Sequence, residues 1–366
     1  MAAFRVDLRS DTITRPSAAM REAMAGAEVG DAWYGDDPTV NRLQERSAEL
    51  VGMEAGLYVP TGTMANQIGL ALHVRGAGHL VVCEERAHVG TTEVMTSAVL
   101  SGIAFRTGAD SPQGSMTAEL AARLLEADEY FDVEMVDVLA VENTVGGYGG
   151  TVLPVDDMRA VRKVANDAGV PIHLDGARIW NAVAATGADV TEWTSQVDTM
   201  MFCLSKGLGA PIGSVLCGPA DLIREGRRVQ ILFGGAWRQA GIIAAAGLVA
   251  LEEGRQRLGE DHARATRLAE AIDEIAPGCV DTANVVTNMV FVDTEVLGLT
   301  ALEAIEQLDA HGVGAVPIGP AEVRMVTHVD VDDDGIALAI DAWRAIARDA
   351  VAAGRSVVRS SAEGDR

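Results

Sequence analysis

The chemistry of this chain is concentrated in a lysine and an aspartate that each follow an apolar run. Lys206 follows the run 199–204 and precedes a glycine-rich stretch, and Asp175 ends the run 170–174. A buried strand that ends in a lysine, next to backbone that a ligand can approach closely, suits an enzyme that holds a carbonyl compound as a Schiff base. Because parallel strands end at the edge of the sheet where ligands bind, we expect both residues to face one site.

A third candidate is the segment 61–66, which follows a predicted strand and opens a helix. The backbone N–H groups of Gly62 and Thr63 would point at an anion at the helix N-terminus. Glycine at such a turn is common for structural reasons alone, and the spacing of a Walker loop or a dinucleotide fingerprint is missing. Asp175 alone also fits a turn former before glycine. Together, a phosphate site, an aldehyde-binding lysine and a carboxylate for a ring nitrogen meet the requirements of pyridoxal phosphate.

The elements that must position these residues alternate along the chain. From about residue 50 to 220, short apolar runs alternate with amphipathic helical stretches, which predicts a mostly parallel α/β sheet. The predicted strands are 55–59, 80–84, 103–107, 138–142, 172–175, 199–205 and 213–217, and the predicted helices are 65–74, 118–125, 158–168 and 220–229. A long helical pattern at 248–276 precedes a smaller α+β unit with segments 288–293, 302–311 and 323–330.

Length and charge restrict the class of protein. A chain of 366 residues is expected to form about two domains. We predict a large domain over 1–247, to whose site segment 1–20 contributes, a small domain over 248–355, and a disordered tail over 356–366. The net charge of −24 disfavours nucleic acid and membrane surfaces as partners.

The four cysteines show no metal-binding spacing, and no metal is expected. They are interpreted as reduced core residues, and the first residues lack the apolar region of a secretory signal. The protein is therefore expected in the cytoplasm.

Several motifs resemble those of low-specificity L-threonine aldolases, and the resemblance runs from about residue 6 to 347. The resemblance implies the aspartate aminotransferase fold, which is fold type I among pyridoxal phosphate enzymes, with a seven-stranded sheet, and a homo-oligomer that is a dimer of dimers. It also implies a small amino-acid substrate and a retro-aldol cleavage to glycine and an aldehyde. The motifs are Asp7–Thr12, Tyr34–Asn41, Leu174–Arg178, Leu204–Pro211, Arg238–Gly241 and Arg324–His328.

The resemblance assigns cofactor-binding roles to individual residues. Lys206 should hold pyridoxal phosphate as a Schiff base, and Asp175 should bind the pyridine nitrogen. Gly62 and Thr63 should bind the phosphate, which Arg238 should reach from the neighbouring subunit.

Further residues are assigned to the substrate and to the faces of the cofactor. Arg178 should lie beside the phenolic oxygen of the cofactor and near the substrate, where Tyr34 is also expected. Ser10 and Arg324 resemble the pair that binds the substrate carboxylate, although Arg324 alone fits an exposed strand charge. His88 should stack on the pyridine ring and help to deprotonate the substrate β-hydroxyl, although a lone histidine after a strand is more often solvated.

The chain departs from the family where a histidine usually faces the substrate hydroxyl. Val145 stands at that position and cannot form a side-chain hydrogen bond, so Tyr148 is a candidate for a replacement polar group. A second departure is Ile231, near the place where relatives often carry a lysine. Because of Val145, racemisation of an amino acid or β-elimination on the same scaffold stays an alternative. A non-catalytic binding protein is the alternative from another class, and the complete set of cofactor residues disfavours it.

Overall fold

The computed structural model describes residues 4–126 and 135–355. Contacts between Cα atoms divide the chain into two compact units. One contains residues 14–257, and the other contains the chain up to Ile13 together with the chain from Leu258 on. The first 13 residues are thus grouped with the C-terminal part, whereas the sequence predicts them in the large domain. The predicted tail 356–366 lies outside the described residues.

Strands and helices alternate as the sequence predicts. The strands are β1 (Val6–Asp7), β2 (Ala55–Val59), β3 (Leu80–Glu84), β4 (Ala104–Gly108), β5 (Val136–Glu142), β6 (Ile172–Asp175), β7 (Thr199–Cys203), β8 (Ser214–Gly218), β9 (Met289–Asp293), β10 (Val313–Gly314), β11 (Val316–Pro317) and β12 (Glu322–Val326). The helices are α1 (Ala18–Ala25), α2 (Pro38–Val51), α3 (Gly62–His73), α4 (His88–Thr91), α5 (Val94–Ser101), α6 (Ala118–Leu125), α7 (Val155–Ala168), α8 (Ile179–Thr186), α9 (Thr191–Thr194), α10 (Ala220–Leu232), α11 (Gly241–Val249), α12 (Arg255–Ile275), α13 (Ala301–Ala310) and α14 (Asp333–Ala352). A π-helical turn at Ala250–Gly254 joins α11 to α12, so one helical run covers most of the predicted 248–276 segment.

The unit of residues 14–257 is built on a seven-stranded sheet with the order β2-β8-β7-β6-β5-β3-β4. The strands from β7 to β4 run parallel, whereas β8 pairs antiparallel with both β7 and β2. All seven strands coincide with predicted ones to within two residues at each end. Strand β6, for example, is fully buried, because its alternating side chains face helices on both sides of a parallel sheet.

Helix α3 is the element of this unit that matters most for the site. Thr61 caps it, since the threonine hydroxyl accepts from the Met64 N–H at 3.1 Å. Gly62, the first helical residue, packs so closely on the sheet that an added Cβ would lie 2.9 Å from Cys203 Sγ. Glycine is therefore required here for the approach of the helix N-terminus to β7, and not for a special dihedral angle.

The second unit contains two small sheets over one apolar core. Strand β1 pairs in parallel with β10, and β11, β12 and β9 form an antiparallel sheet. Their buried faces pack with α12, α13 and α14 around Trp343, which is fully buried. Within the described residues, no helix is long and apolar enough to cross a membrane.

Candidate active site

The carboxyl ends of the parallel strands bring Asp175 and the turn of Lys206 to one edge of the sheet. Asp175 is paired in register with Glu142 on one side and with Met201 on the other. Strand β7 ends at Cys203, two residues earlier than predicted, so Lys206 lies in the turn that follows. The Gly209 N–H donates to the Lys206 carbonyl at 2.8 Å and closes this turn.

Asp175 is a buried carboxylate, 3% exposed, that is held by neutral donors. Its Oδ2 accepts from the Asn66 side-chain amide at 2.8 Å, and its Oδ1 accepts from the Ala177 N–H at 3.0 Å. Among residues 4–126 and 135–355, no cationic side chain forms an ion pair with it. A buried carboxylate usually has a cationic partner, so Asp175 fits a protonated ring nitrogen supplied by a ligand.

Lys206 has the complementary property. Its half-buried side chain forms neither a hydrogen bond nor an ion pair with any residue in the described part of the chain. The sequence contains two lysines, and the other one, Lys163, is exposed on α7. The small number of lysines independently supports the assignment of Lys206, since only one of the two follows a buried strand.

The N-terminus of α3 lies against the same edge. The first N–H groups of an α-helix have no acceptor inside the helix, so those of Gly62 and Thr63 are available to an anion. The helix is 12 residues long, and its N-terminus is packed against the end of β7 through Gly62. Together with Asp175 and Lys206, these donors fit the phosphate, the ring nitrogen and the aldehyde of pyridoxal phosphate.

His88 opens α4, directly after the loop that follows β3. Its Nδ1 lies 2.8 Å from Oε1 of Glu93, a carboxylate that is 1% exposed, whereas the imidazole itself is 43% exposed. The hydrogen bond with Glu93 raises the pKa of His88 above its ordinary value, and burial opposes this. Negative charge on Asp175 also raises the pKa, while positive charge on Lys206 lowers it. His88 therefore lies within the electrostatic reach of both predicted catalytic groups.

Asn66 connects this histidine pair to Asp175. Its side-chain NH₂ group donates both to Asp175 and to Oε1 of Glu93, at 2.8 Å and 3.2 Å. Its carbonyl oxygen must therefore accept, and the donor is Nε2 of His173 at 3.1 Å. Nδ1 of His173 then accepts from the Thr199 hydroxyl at 2.9 Å. Burial lowers the pKa of His173 to about 3, so this imidazole is neutral at physiological pH.

Glu142 holds two loops at the end of β5. Its Oε2 accepts from the His88 N–H at 2.7 Å, and its Oε1 accepts from the Gly146 N–H at 2.8 Å. Burial and the charge of Asp175 raise the pKa of Glu142 to about 7. The loop that it anchors contains Val145, which is 2% exposed and presents no polar group.

Tyr148 belongs to the same loop, but its hydroxyl is directed at another carboxylate. The hydroxyl donates to Oε1 of Glu84 at 2.8 Å, and the guanidinium of Arg86 lies 4.7 Å above the ring. Glu84 is 4% exposed, and burial raises its pKa. The structure thus gives the tyrosine hydroxyl a partner other than a substrate.

The remaining predicted residues lie in three places. Arg178 precedes α8 and is half-buried near Gly146. Arg238 is exposed, pairs with Asp31 at 3.5 Å and lies over the Trp33 ring. Tyr34, in the same region, is 73% exposed.

Ser10 and Arg324 lie together in the unit that contains β1 and β12. The guanidinium of Arg324 donates to the carbonyl of Arg9 at 3.4 Å, and the Ser10 hydroxyl accepts from the Thr12 hydroxyl at 2.8 Å. Arg324 is on β12, opposite Phe291 of β9. The pair that the resemblance assigns to the substrate carboxylate is thus adjacent in the fold.

Sequence reasoning missed Asn66, Glu93 and Thr199. A signal for Asn66 existed, because it precedes the apolar residues Ile68–Leu70 on a helix that had to be buried, and buried amides need partners. A further histidine, His262 on α12, is also buried at 8% exposure, and burial lowers its pKa to about 4.

Comparisons with known proteins give a matching family model and similar chains. A family model described as β-eliminating lyase matches residues 7–295. The low specificity L-threonine aldolase of Escherichia coli strain K12 is 40% identical over 341 residues, which cover 93% of this chain and 98% of that protein. Low-specificity L-threonine aldolase 1 of Arabidopsis thaliana is 38% identical over 325 residues, which cover 88% and 91% of the two chains.

The fold has a similar counterpart among solved structures. A threonine aldolase from Leishmania major aligns with a TM-score of 0.75 at 16% identity, covering 93% of this chain and 99% of that one. At this identity the likeness shows the fold alone. It confirms the predicted α/β fold class of the aspartate aminotransferase type.

Proposed function

The chain belongs to the β-eliminating lyase family, in its threonine aldolase branch, and from this premise we propose that it is a pyridoxal phosphate-dependent aldolase. It cleaves L-threonine, L-allo-threonine or a related β-hydroxy-α-amino acid to glycine and an aldehyde. The observation that carries the proposal is the pair of Lys206 and Asp175. A lysine and a buried carboxylate that lie at one sheet edge without pairing suit a ligand that uses both.

Five residues of the larger unit are proposed to hold the cofactor. Lys206 binds its aldehyde, Asp175 its ring nitrogen, and the N–H groups of Gly62 and Thr63 its phosphate. Arg178 lies beside its phenolic oxygen. When bound, pyridoxal phosphate provides an electron sink for the electron pair of a bond broken at the substrate α-carbon.

The chain itself must move two protons. Cleavage between Cα and Cβ requires a base for the β-hydroxyl proton and an acid that delivers a proton to Cα. His88 is proposed to cover one face of the cofactor ring and to accept the hydroxyl proton, directly or through a water, at Nε2. Nε2 is available because Nδ1 faces Glu93.

Substrate selection is proposed to depend on the groups around this centre. The guanidinium of Arg324 and the hydroxyl of Ser10 bind the α-carboxylate, for which a planar guanidinium is well suited. Tyr34 lies near the substrate. Val145 is buried and has no polar side-chain group, so we propose that the preference between threonine and allo-threonine differs from that of the family.

The proposal includes a homo-oligomer that works in the cytoplasm. Tyr34 and Arg238 are exposed in the single chain, which supports a role against a neighbouring subunit, where Arg238 would reach the phosphate. A dimer of dimers is the assembly that we propose. All four cysteines are buried and free, which supports a reducing compartment.

Two measurements on the purified holoenzyme test the function. The first follows glycine and aldehyde in parallel with L-threonine, L-allo-threonine and phenylserine. Equal amounts of the two products are expected, whereas turnover of alanine or serine without aldehyde would overturn the proposal. The second reduces the holoenzyme with borohydride and maps the cofactor adduct by peptide mass.

The chain offers a matched control for the second measurement. The adduct is expected on Lys206, and Lys206→Ala should abolish both the adduct and turnover while the protein stays folded. Lys163→Arg should leave both unchanged, because Lys163 is exposed on α7. Retained activity in Lys206→Ala would contradict the assigned role.

A further inference from the structure

Glu93 is a buried carboxylate to which the proposed function assigns no role. It stands directly before α5, it is 1% exposed, and in the described part of the chain no lysine or arginine pairs with it. Burying an ionised carboxylate without such a partner is unfavourable unless several hydrogen bonds compensate. The contacts of Glu93 are therefore informative about what it does.

Three side chains from two elements donate to this carboxylate. Oε1 accepts from His88 Nδ1 at 2.8 Å and from the Asn66 amide at 3.2 Å, and Oε2 accepts from the Gln67 amide at 2.8 Å. Asn66 and Gln67 are buried on α3 and cannot move without breaking the packing of that helix. Glu93 is thus fixed from the α3 side, and it presents one oxygen to the imidazole.

This geometry determines the tautomer of His88. A carboxylate oxygen can only accept, so Nδ1 must carry a proton whether the imidazole is neutral or charged. In the neutral imidazole, Nε2 is then the proton acceptor. The same arrangement, a carboxylate at Nδ1 that orients an imidazole base, occurs in hydrolytic triads.

We propose that Glu93 is a positioning residue of the aldolase: it fixes His88 in the Nδ1–H tautomer and increases the basicity of Nε2. The proposal rests on the proposed function for the role of His88. Asn66 adds a second connection, because its NH₂ group is shared between Glu93 and Asp175. The orientation of the imidazole is thereby coupled to that of the carboxylate assigned to the ring nitrogen.

Four charged or titratable groups lie near His88 and can affect its pKa. Glu93 and Asp175 favour the charged imidazole, Lys206 opposes it, and Glu142 accepts from the His88 backbone N–H. Of these four groups, Glu93 is the one that hydrogen-bonds to the ring itself, so its neutralisation should have the largest effect.

The test compares Glu93→Gln with wild-type holoenzyme by NMR of the histidine ring without substrate, with the His88 signals assigned from their loss in His88→Asn. In wild type, Nδ1 should stay protonated through the titration. In Glu93→Gln, the pKa of His88 should fall by about one unit or more, the size expected when an adjacent opposite charge is removed. The neutral form should become a mixture of tautomers. An unchanged pKa and tautomer would overturn the proposal.

Kinetics provide a readout that a purely structural role would not change. In a plot of kcat/KM against pH, the acid limb, where activity falls at low pH, should move to lower pH by as much as the pKa of His88 falls. The reason is that His88 acts as a base only when it is neutral. The plateau of kcat should fall by at least about 10-fold, and by up to about 10⁴-fold as when the carboxylate of a hydrolytic triad becomes an amide, with little change in KM. A lower plateau with an unmoved acid limb would contradict the proposal.

Asp137→Asn is the matched control. Asp137 is also a buried carboxylate that binds a histidine at Nδ1, His79 at 2.6 Å, but it is the second residue of β5, at the opposite end of the strand. The Asp137→Asn variant should leave the acid limb of the kcat/KM profile where it is in wild type. A movement equal to that of Glu93→Gln would count against the proposal.

If Glu93→Gln does not fold, Glu93→Asp replaces it. The shorter side chain keeps the charge but withdraws it from Nδ1, so the pKa of His88 should still fall, and an unchanged value would refute the proposal. Failure of the aldolase function is distinguishable, because it would appear as absent glycine in wild type, whereas the NMR titration needs no turnover.

Discussion

His173 provides a sharp test of the buried network behind Asp175. Its Nε2–H donates to Asn66 and its Nδ1 accepts from Thr199, so His173→Leu leaves the amide oxygen of Asn66 without that donor and Thr199 without that acceptor. Each buried polar group that loses its partner costs about 1–3 kcal/mol. We expect a loss of about 2–6 kcal/mol at pH 7.5. For a chain of 366 residues, this corresponds to a decrease of about 3–8 °C in the melting temperature.

The pH dependence of this loss follows from the low pKa of His173. Burial lowers the pKa to about 3, whereas the unfolded chain binds the proton near 6.5. Between these values the unfolded state binds more protons, so the stability contributed by neutral His173 is complete above pH 6.5 and is lost as the pH falls towards 3. The full amount is about 5 kcal/mol, at about 1.4 kcal/mol for each pH unit.

Urea unfolding midpoints at fixed protein and cofactor concentrations measure this effect. The leucine variant cannot titrate at this position, so its deficit relative to wild type should shrink by about 2 kcal/mol between pH 6.5 and pH 5. Thr199→Val is the control, because it removes the hydrogen bonds of the hydroxyl with His173 and His73 but keeps both imidazoles. Its deficit should stay constant over the same range. If the loss of unfolding free energy in His173→Leu relative to wild type is the same at pH 6.5 and pH 5, His173 is not buried in the neutral form.

Two further predictions concern the turn after Lys206 and the loop after β5. Gly213→Ala should lower the free energy of unfolding by about 2–6 kcal/mol, because φ is +111° and the new Cβ would lie 2.4 Å from the Tyr58 ring. Gly234→Ala is the control, since its φ is +76° but no atom lies within 4 Å of the new Cβ. It should lower the free energy of urea unfolding by only about 1–2 kcal/mol. Tyr148→Phe should lower the free energy of unfolding by about 1–3 kcal/mol at pH 8, because Glu84 then loses the donor of a buried hydrogen bond. Aldehyde release should continue at the wild-type rate, and a reduced kcat at unchanged stability would show that the Tyr148 hydroxyl serves the substrate instead.

The strand ends were the part of the site that the sequence predicted best. Lys206 and Asp175 each follow a continuous apolar run, and such runs are typical of parallel strands that are buried on both faces. Their common edge then follows from topology alone. The network of Asn66, Glu93 and His173 could not be predicted in this way. Its hydrogen-bonded members are 27 and 107 residues apart, and nothing local to any of them specifies the partner.

The tertiary fold also decides the roles of residues that look equivalent in the sequence. Strands β3, β5 and β6 are neighbours in the sheet, and each ends in a carboxylate: Glu84, Glu142 and Asp175. Strand patterning assigns all three to the same edge and cannot separate them. Their donors can. All three accept from backbone N–H groups of the loops beyond their strands, but only Asp175 also accepts from the buried Asn66 amide.

Asp175 differs from both because of Asn66. The Asn66 amide orients its carboxylate without neutralising it, and the neighbouring imidazole, His173, is held neutral by burial. Asn66 therefore leaves the carboxylate without a countercharge, whereas an arginine at this position would supply one and compete with a cationic ligand. The buried amide of Asn66 thus fixes the Asp175 carboxylate without supplying a countercharge, which suits this strand end to a protonated ring nitrogen.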